Sequence, residues 1–176
     1  ETNLYTITIP PMIKTLKNMS AILDKAAAIA RAKGTDWMPG AKFEEALLDE
    51  RLVFDQFPLV RQIQIACDNA KGGTARLAGI EAPKYEDTEK TIAELQARIT
   101  QTIAFMESVN PEQIIGQEDR HVMLPYFKQP MSAFNYATEY LMPNFYFHVV
   151  TAYSILRSNG IELGKSDFLG SLSFIA

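Results

Sequence analysis

A chain of 176 residues with a net charge of −4, 47% apolar and 22% charged residues, has the composition of an ordinary globular protein. Its length is that of one domain, residues 1–176, expected to bury about 70% of the surface its unfolded form exposes. The lack of a long apolar run excludes a membrane span, and the lack of clustered Lys and Arg argues against a nucleic-acid partner. The single cysteine, Cys67, can form no internal disulfide, and Glu1-Thr2-Asn3-Leu4-Tyr5 lacks a secretory pattern, so the cytoplasm is the expected location.

Pro10 and Pro11 suit a first helical turn. From Met12 the apolar positions Leu16, Met19, Ile22, Leu23, Ala26, Ile29 and Ala30 recur at three and four residues. With Gly34 as the stop, this predicts a first long helix over 10–33. Thr35 to Gly40 reads as a loop carrying the only Trp, and Phe43 to Glu50 as a short helical patch. Pro58 opens a second helix that runs to Ala78 before Gly79, with Leu59, Ile63, Ala66, Cys67, Ala70 and Leu77 as its core stripe; Gly72-Gly73 allows close helix packing. Asp55 is a candidate cap for that helix, and Asp87 or Thr88 for a third, whose stripe Ile92, Leu95, Ile99, Thr102, Ile103 and Met106 extends to Val109.

Between Ile114 and Met131 the pattern changes: Arg120 to Leu124 alternates in part, and Pro125 and Pro130 bracket a turn, which predicts a short strand pair. Ser132 caps a further helix to Leu141, Pro143 kinks or restarts it, and Asn159-Gly160 closes the last helix. Leu163, Phe168 and Leu169 in the tail are expected to dock on the body. The expected fold is all-α: an antiparallel four-helix bundle with a short β-hairpin before the last helix.

The residues that point to chemistry gather on the last helix. Asn144 lies four residues before His148, so both face one side, at the spacing of a metal-ligand pair with one ligand changed. The only other imidazole, His121, lies in the excursion before that helix. Gln62 or Gln64 can point inward across from His148, and Asp55 sits at the entry to the same helix. The aromatics Phe134, Tyr136, Tyr140, Phe145, Tyr146, Phe147 and Tyr153 read as core or oligomer interface, with Tyr hydroxyls able to line an apolar pocket. The candidate pocket is therefore His148, Asn144, Gln62, Gln64, Asp55 and Tyr153. Cys67 falls on an apolar stripe without a basic neighbour, which argues against a catalytic thiol.

The helix Asn144-Phe145-Tyr146-Phe147-His148, with Ala152-Tyr153 and Leu156-Arg157-Ser158-Asn159-Gly160, resembles the last core helix of the DinB-like (DinB/YfiT) superfamily. Phe57 to Ala66, Arg76-Leu77-Ala78-Gly79 and Phe168-Leu169-Gly170 resemble one of its domain-of-unknown-function branches, and the resemblance covers nearly the whole chain. It implies a four-helix bundle, commonly dimeric, that holds a divalent metal such as zinc or nickel with three histidines: one from the second helix and two, four apart, from the last. His148 matches the second of that pair; Asn144 stands at the first, and Gln62 or Gln64 lies nearest the helix-two position. Amide oxygens are poor substitutes for imidazole at zinc or nickel. The resulting expectation is a homodimer with a degenerate metal site that binds a small molecule or partner near His148. The alternative is a metal- or thiol-dependent transferase or hydrolase with a zinc or nickel ion weakly held at His148.

Overall fold

The computed structural model describes residues 1–175. Helix α1 (Leu4–Ala32) begins well before the prolines, because Asn3 and Thr6 form a capping box: each side chain accepts the other's backbone N–H at 3.0 Å. Pro10 and Pro11 are therefore interior to α1 and do not start it as expected. The hydroxyl of Thr15 donates to the Pro11 carbonyl at 2.9 Å. A short α2 (Gly40–Asp49) leads to α3 (Leu59–Ala78), which Gly79 ends in the left-handed region at φ 70°.

Helix α4 (Ile92–Ser108) is capped by a Thr91–Glu94 box, and Glu44 reaches across to accept the Ile92 N–H at 2.7 Å. This corrects the expected Asp87 or Thr88 cap, since Asp87 is engaged with Arg61 and Arg98 in the segment before the helix. The strand pair is present but minimal: β1 (His121–Val122) runs antiparallel to β2 (Met131–Ser132), with His121 opposite Ser132. Ser132 caps the one-turn α5 (Ala133–Asn135) as expected. A π-helical segment (Tyr136–Leu141) then continues into α6 (Met142–Ser158), in place of a kink or restart at Pro143. Pro143 lies in the first turn of α6, where a missing N–H is least costly. A short α7 (Lys165–Leu169) closes the chain against α1.

Apart from the strand pair the fold is helical, with one contiguous apolar cluster. Among the described residues no helix is long and apolar enough to cross a membrane. Helix α3 packs mainly on α6 and α4, while α1 packs on α2, α4 and α6. Gln62 meets His148, Asn69 meets Asn144 and Gly73 meets Leu141, so α6 descends as α3 ascends. The α3 surface from Ala70 to Ala75 is buried around its whole circumference, which only small side chains and well-partnered polar ones allow. At Gly73 a Cβ would collide with the Leu141 side chain, so this glycine sets how closely the π segment approaches.

A second constraint ties the extended segment 80–90 to the helices. Arg98, only 2% exposed, binds Asp68 at 2.8 Å, Asp87 at 3.0 Å, Glu89 at 3.0 Å and the Glu86 carbonyl at 3.1 Å. Lys71, also buried, pairs with Asp68 at 3.3 Å and lies 4.0 Å over the Tyr85 ring. Lys71 and Arg61 still face Asp68 and Asp87 when Arg98 is removed, but the largely buried Glu89 is left without a counter-charge.

Two substitutions test these constraints by urea unfolding. Gly73→Ala is expected to destabilise the protein by about 1–3 kcal/mol through overpacking, although alanine is the better helix former. Gly72→Ala, whose new methyl meets only the far end of the long Arg76 side chain, is expected to stay within about 1 kcal/mol of wild type. Arg98→Met is expected to lose about 3–5 kcal/mol, and a loss below about 1 kcal/mol would contradict the bracing role.

Candidate functional site

The seam between α3 and α6 carries the residues singled out on the last helix. Gln62 is almost completely buried; its Nε2–H donates to the Phe57 carbonyl at 3.0 Å, which turns Oε1 toward α6. That oxygen lies 2.7 Å from Nδ1 of His148. An amide oxygen only accepts, so Nδ1 carries the proton, and the neutral ring leaves its lone pair on Nε2. Burial, aided by the positive charge of Arg61, holds the His148 pKa below the ordinary 6.5, so the ring is neutral at neutral pH. Among the described residues Nε2 has no hydrogen-bond partner. The Phe147 ring stands edge-on to the imidazole at 5.1 Å, and both Phe147 and Phe57 are more than half exposed. Arg61 lies 5.8 Å over the Phe57 ring and donates to Asp87 at 2.6 Å.

One turn away, Asn144 donates to Asn69 Oδ1 at 3.3 Å, while Asn69 Nδ2 is buried with no partner among the described residues. The seam is thus closed by amide to imidazole and amide to amide contacts, with no formal charge in either pair.

The other candidates lie elsewhere. Gln64 is two residues from Gln62 and so faces the far side of α3, where it donates to Glu89 at 2.8 Å. Asp55 is exposed in the loop before α3 and does not cap it; the Leu59 N–H instead donates to the Glu50 carbonyl at 2.8 Å. Tyr153 lies on another face of α6, with its ring 6.3 Å from Phe168 on α7. His121 is exposed on β1. Cys67 is fully buried, which pushes its thiol up to about 12 and leaves no reactive thiolate. The expected aromatic group divides: Phe145 is in the core, Phe134 and Phe147 are exposed, and Tyr136 stacks with Tyr140 at the other end of α3.

The residues present do not fit a three-histidine metal centre. His148 has Nδ1 committed to Gln62, both neighbouring positions are neutral amides, and no group of three or more His, Cys, Asp or Glu among the described residues is placed to hold a metal ion. Several surface clefts among the described residues are lined by other side chains, and His148 lines none of these. Arg98 is the principal residue that the periodicity missed, since it interrupts an apolar stripe. The acidic run Glu86, Asp87 and Glu89 is the signal that marks its partners.

Comparison with known proteins gives a consistent picture. The family described as a domain of unknown function (DUF1993) matches residues 4–169. The chain is also similar to a DinB family member from Shewanella denitrificans of known crystal structure. The TM-score is 0.88 and the identity 41%, over 98% of this chain and 95% of that one. No curated protein matches.

The neutral imidazole has a pH signature. Because the folded pKa lies below the unfolded one, the unfolded ring protonates first as the pH falls through 6.5. The His148 contribution to stability is therefore complete above about pH 7, and is lost between 6.5 and its depressed folded pKa. His148→Phe is expected to flatten that part of the stability profile measured by urea unfolding. Gln62→Glu places a carboxylate beside Nδ1–H and is expected to raise the His148 pKa by about 1–3 units in an NMR titration.

Proposed function

The chain belongs to the DUF1993 family, and on that basis we propose that it is a DinB-type four-helix bundle whose metal-ligand position has become a metal-free recognition site for a small neutral molecule. The observation that carries this reading is the relay from the Phe57 carbonyl through Gln62 to His148, which orients a neutral ring with an unpartnered Nε2. Such a nitrogen accepts a hydrogen bond from an N–H or O–H donor, and the exposed faces of Phe147 and Phe57 offer apolar cover to the rest of the ligand. With Arg61 paired to Asp87 and no free carboxylate in the seam, charge gives little reason to select an ionic ligand.

A second reading rests on the exposed apolar side chains Phe54, Phe57, Phe147 and Val150, which suit coverage by a second copy of the chain in a cytoplasmic homodimer. Size exclusion with light scattering separates the two: a monomer at micromolar concentration removes the dimer and leaves the small-molecule site.

The test uses ¹⁵N-labelled protein purified without a histidine tag and a fragment library of neutral aromatic donors. Expected are saturable shifts of the Phe57, Gln62 and His148 resonances, with affinity weakened about tenfold in His148→Phe through loss of the acceptor. Zinc, nickel or manganese bound near stoichiometrically and lost in His148→Ala would overturn the proposal in favour of a metal-dependent enzyme.

A further inference from the structure

Arg76 lies in the last turn of α3, yet it does not run to the terminal carbonyls. Its guanidinium folds back along the helix, so that a Cβ at Gly72 would stand 2.7 Å from Nη1. Gly72 thus provides the space in which the guanidinium lies. Among the described residues no carboxylate pairs with it, and its one side-chain hydrogen bond is from Nη1 to the Tyr136 hydroxyl at 3.4 Å. A partly buried guanidinium held only by a neutral oxygen is under-compensated.

The hydroxyls beside it add donors and no formal negative charge. Tyr136 is 1% exposed, and burial raises its pKa, so the hydroxyl keeps its proton. Its oxygen accepts from Arg76, and its own O–H has no acceptor among the described residues. The Tyr136 ring stacks on Tyr140 at 5.8 Å and 22°, an arrangement set by the π-helical segment that carries both. The Tyr140 hydroxyl is bonded to that of Tyr126; burial and this bond push it up to about 12. Two hydroxyls sharing one hydrogen bond leave one proton unused, whichever oxygen donates. The Arg76–Tyr136 bond, the Tyr136–Tyr140 stack and the Tyr140–Tyr126 bond place all of these groups in one neighbourhood.

We propose that Arg76, Tyr136 and the Tyr126–Tyr140 pair form a binding site for a small oxyanion, the carboxylate or phosphate group of an acidic ligand. The guanidinium supplies charge and a planar fork of donors, and the hydroxyls supply further donors that are not themselves ionised. The site is separate from the His148 seam: Gln62 and Arg76 are 14 residues apart on α3, about 21 Å along the axis.

The experiment titrates the full ¹⁵N-labelled chain with inorganic phosphate and, separately, with acetate, at constant ionic strength made up with sodium chloride. Expected is a saturable shift of the Arg76 Nε–Hε signal and a rise in Tm with at least one of the two anions; which one acts identifies phosphate or carboxylate. Arg76→Met is expected to weaken binding by about tenfold or more, and Tyr136→Phe, which keeps the stacked ring, by several-fold. If Arg76→Met fails to fold, Tyr136→Phe and Arg76→Lys decide. Wild type without a saturable response to either anion overturns the site, as do folded variants that bind as tightly as wild type.

Discussion

The polar residues of the buried helix α3 dictate how its neighbours pack. Apolar contacts are indifferent to direction, whereas a buried amide, hydroxyl or charge must meet a partner at hydrogen-bond distance. Helix α3 distributes these demands around its circumference. Gln62 meets His148 and Asn69 meets Asn144 on α6; Asp68 meets Arg98 on α4; Gln64 meets Glu89; Arg76 meets the π segment. Thr74 satisfies itself on the Ala70 carbonyl at 2.8 Å. Each pairing fixes the register of a different neighbour, so the apolar cluster forms in one arrangement.

The same requirement shapes the chemistry of the α3–α6 seam. With histidines at all three expected positions, their proximity would favour a cation to satisfy the inward-facing nitrogens. Here Gln62 satisfies the remaining imidazole and Asn144 pairs with Asn69, both without an ion. The outcome is a neutral seam in which Gln62 sets the tautomer of His148. An imidazole oriented by an amide whose own N–H is tied to a backbone carbonyl is held at both ends, and is therefore a defined acceptor.

Much of the fold was legible because its signals are local. The three- and four-residue apolar recurrence located α3, α4 and α6 closely, and Ser132, Gly79 and the strand pair around the Pro125–Pro130 turn acted where their chemistry places them. Errors arose where two local signals compete. The Pro10-Pro11 pair reads as a start, but the Asn3–Thr6 box begins α1 earlier and the helix continues through both prolines. Asp87 and Thr88 read as caps until Arg98, distant in sequence, claims Asp87. The π-helical segment has no recognisable periodicity over six residues.

The site was legible only in part. Asn144 and His148 share a face by helix geometry alone, and both side chains meet α3. The choice between Gln62 and Gln64 depends on which face of α3 meets α6, and a helix buried on nearly all sides does not declare it by hydropathy. Asp55 lost its expected role because a backbone carbonyl, that of Glu50, occupies the capping position. Gly72 and Gly73 announced close packing, but only the packed structure distinguishes the one that admits Arg76 from the one that admits Leu141.

The most direct measurement is the protonation state of His148, read from long-range ¹H–¹⁵N correlations above pH 7. A proton on Nδ1 with a bare Nε2, lost as a fixed preference when Gln62 is replaced by Ala, is the predicted result. A ring protonated on Nε2, or one doubly protonated at that pH, would contradict the amide-oriented seam.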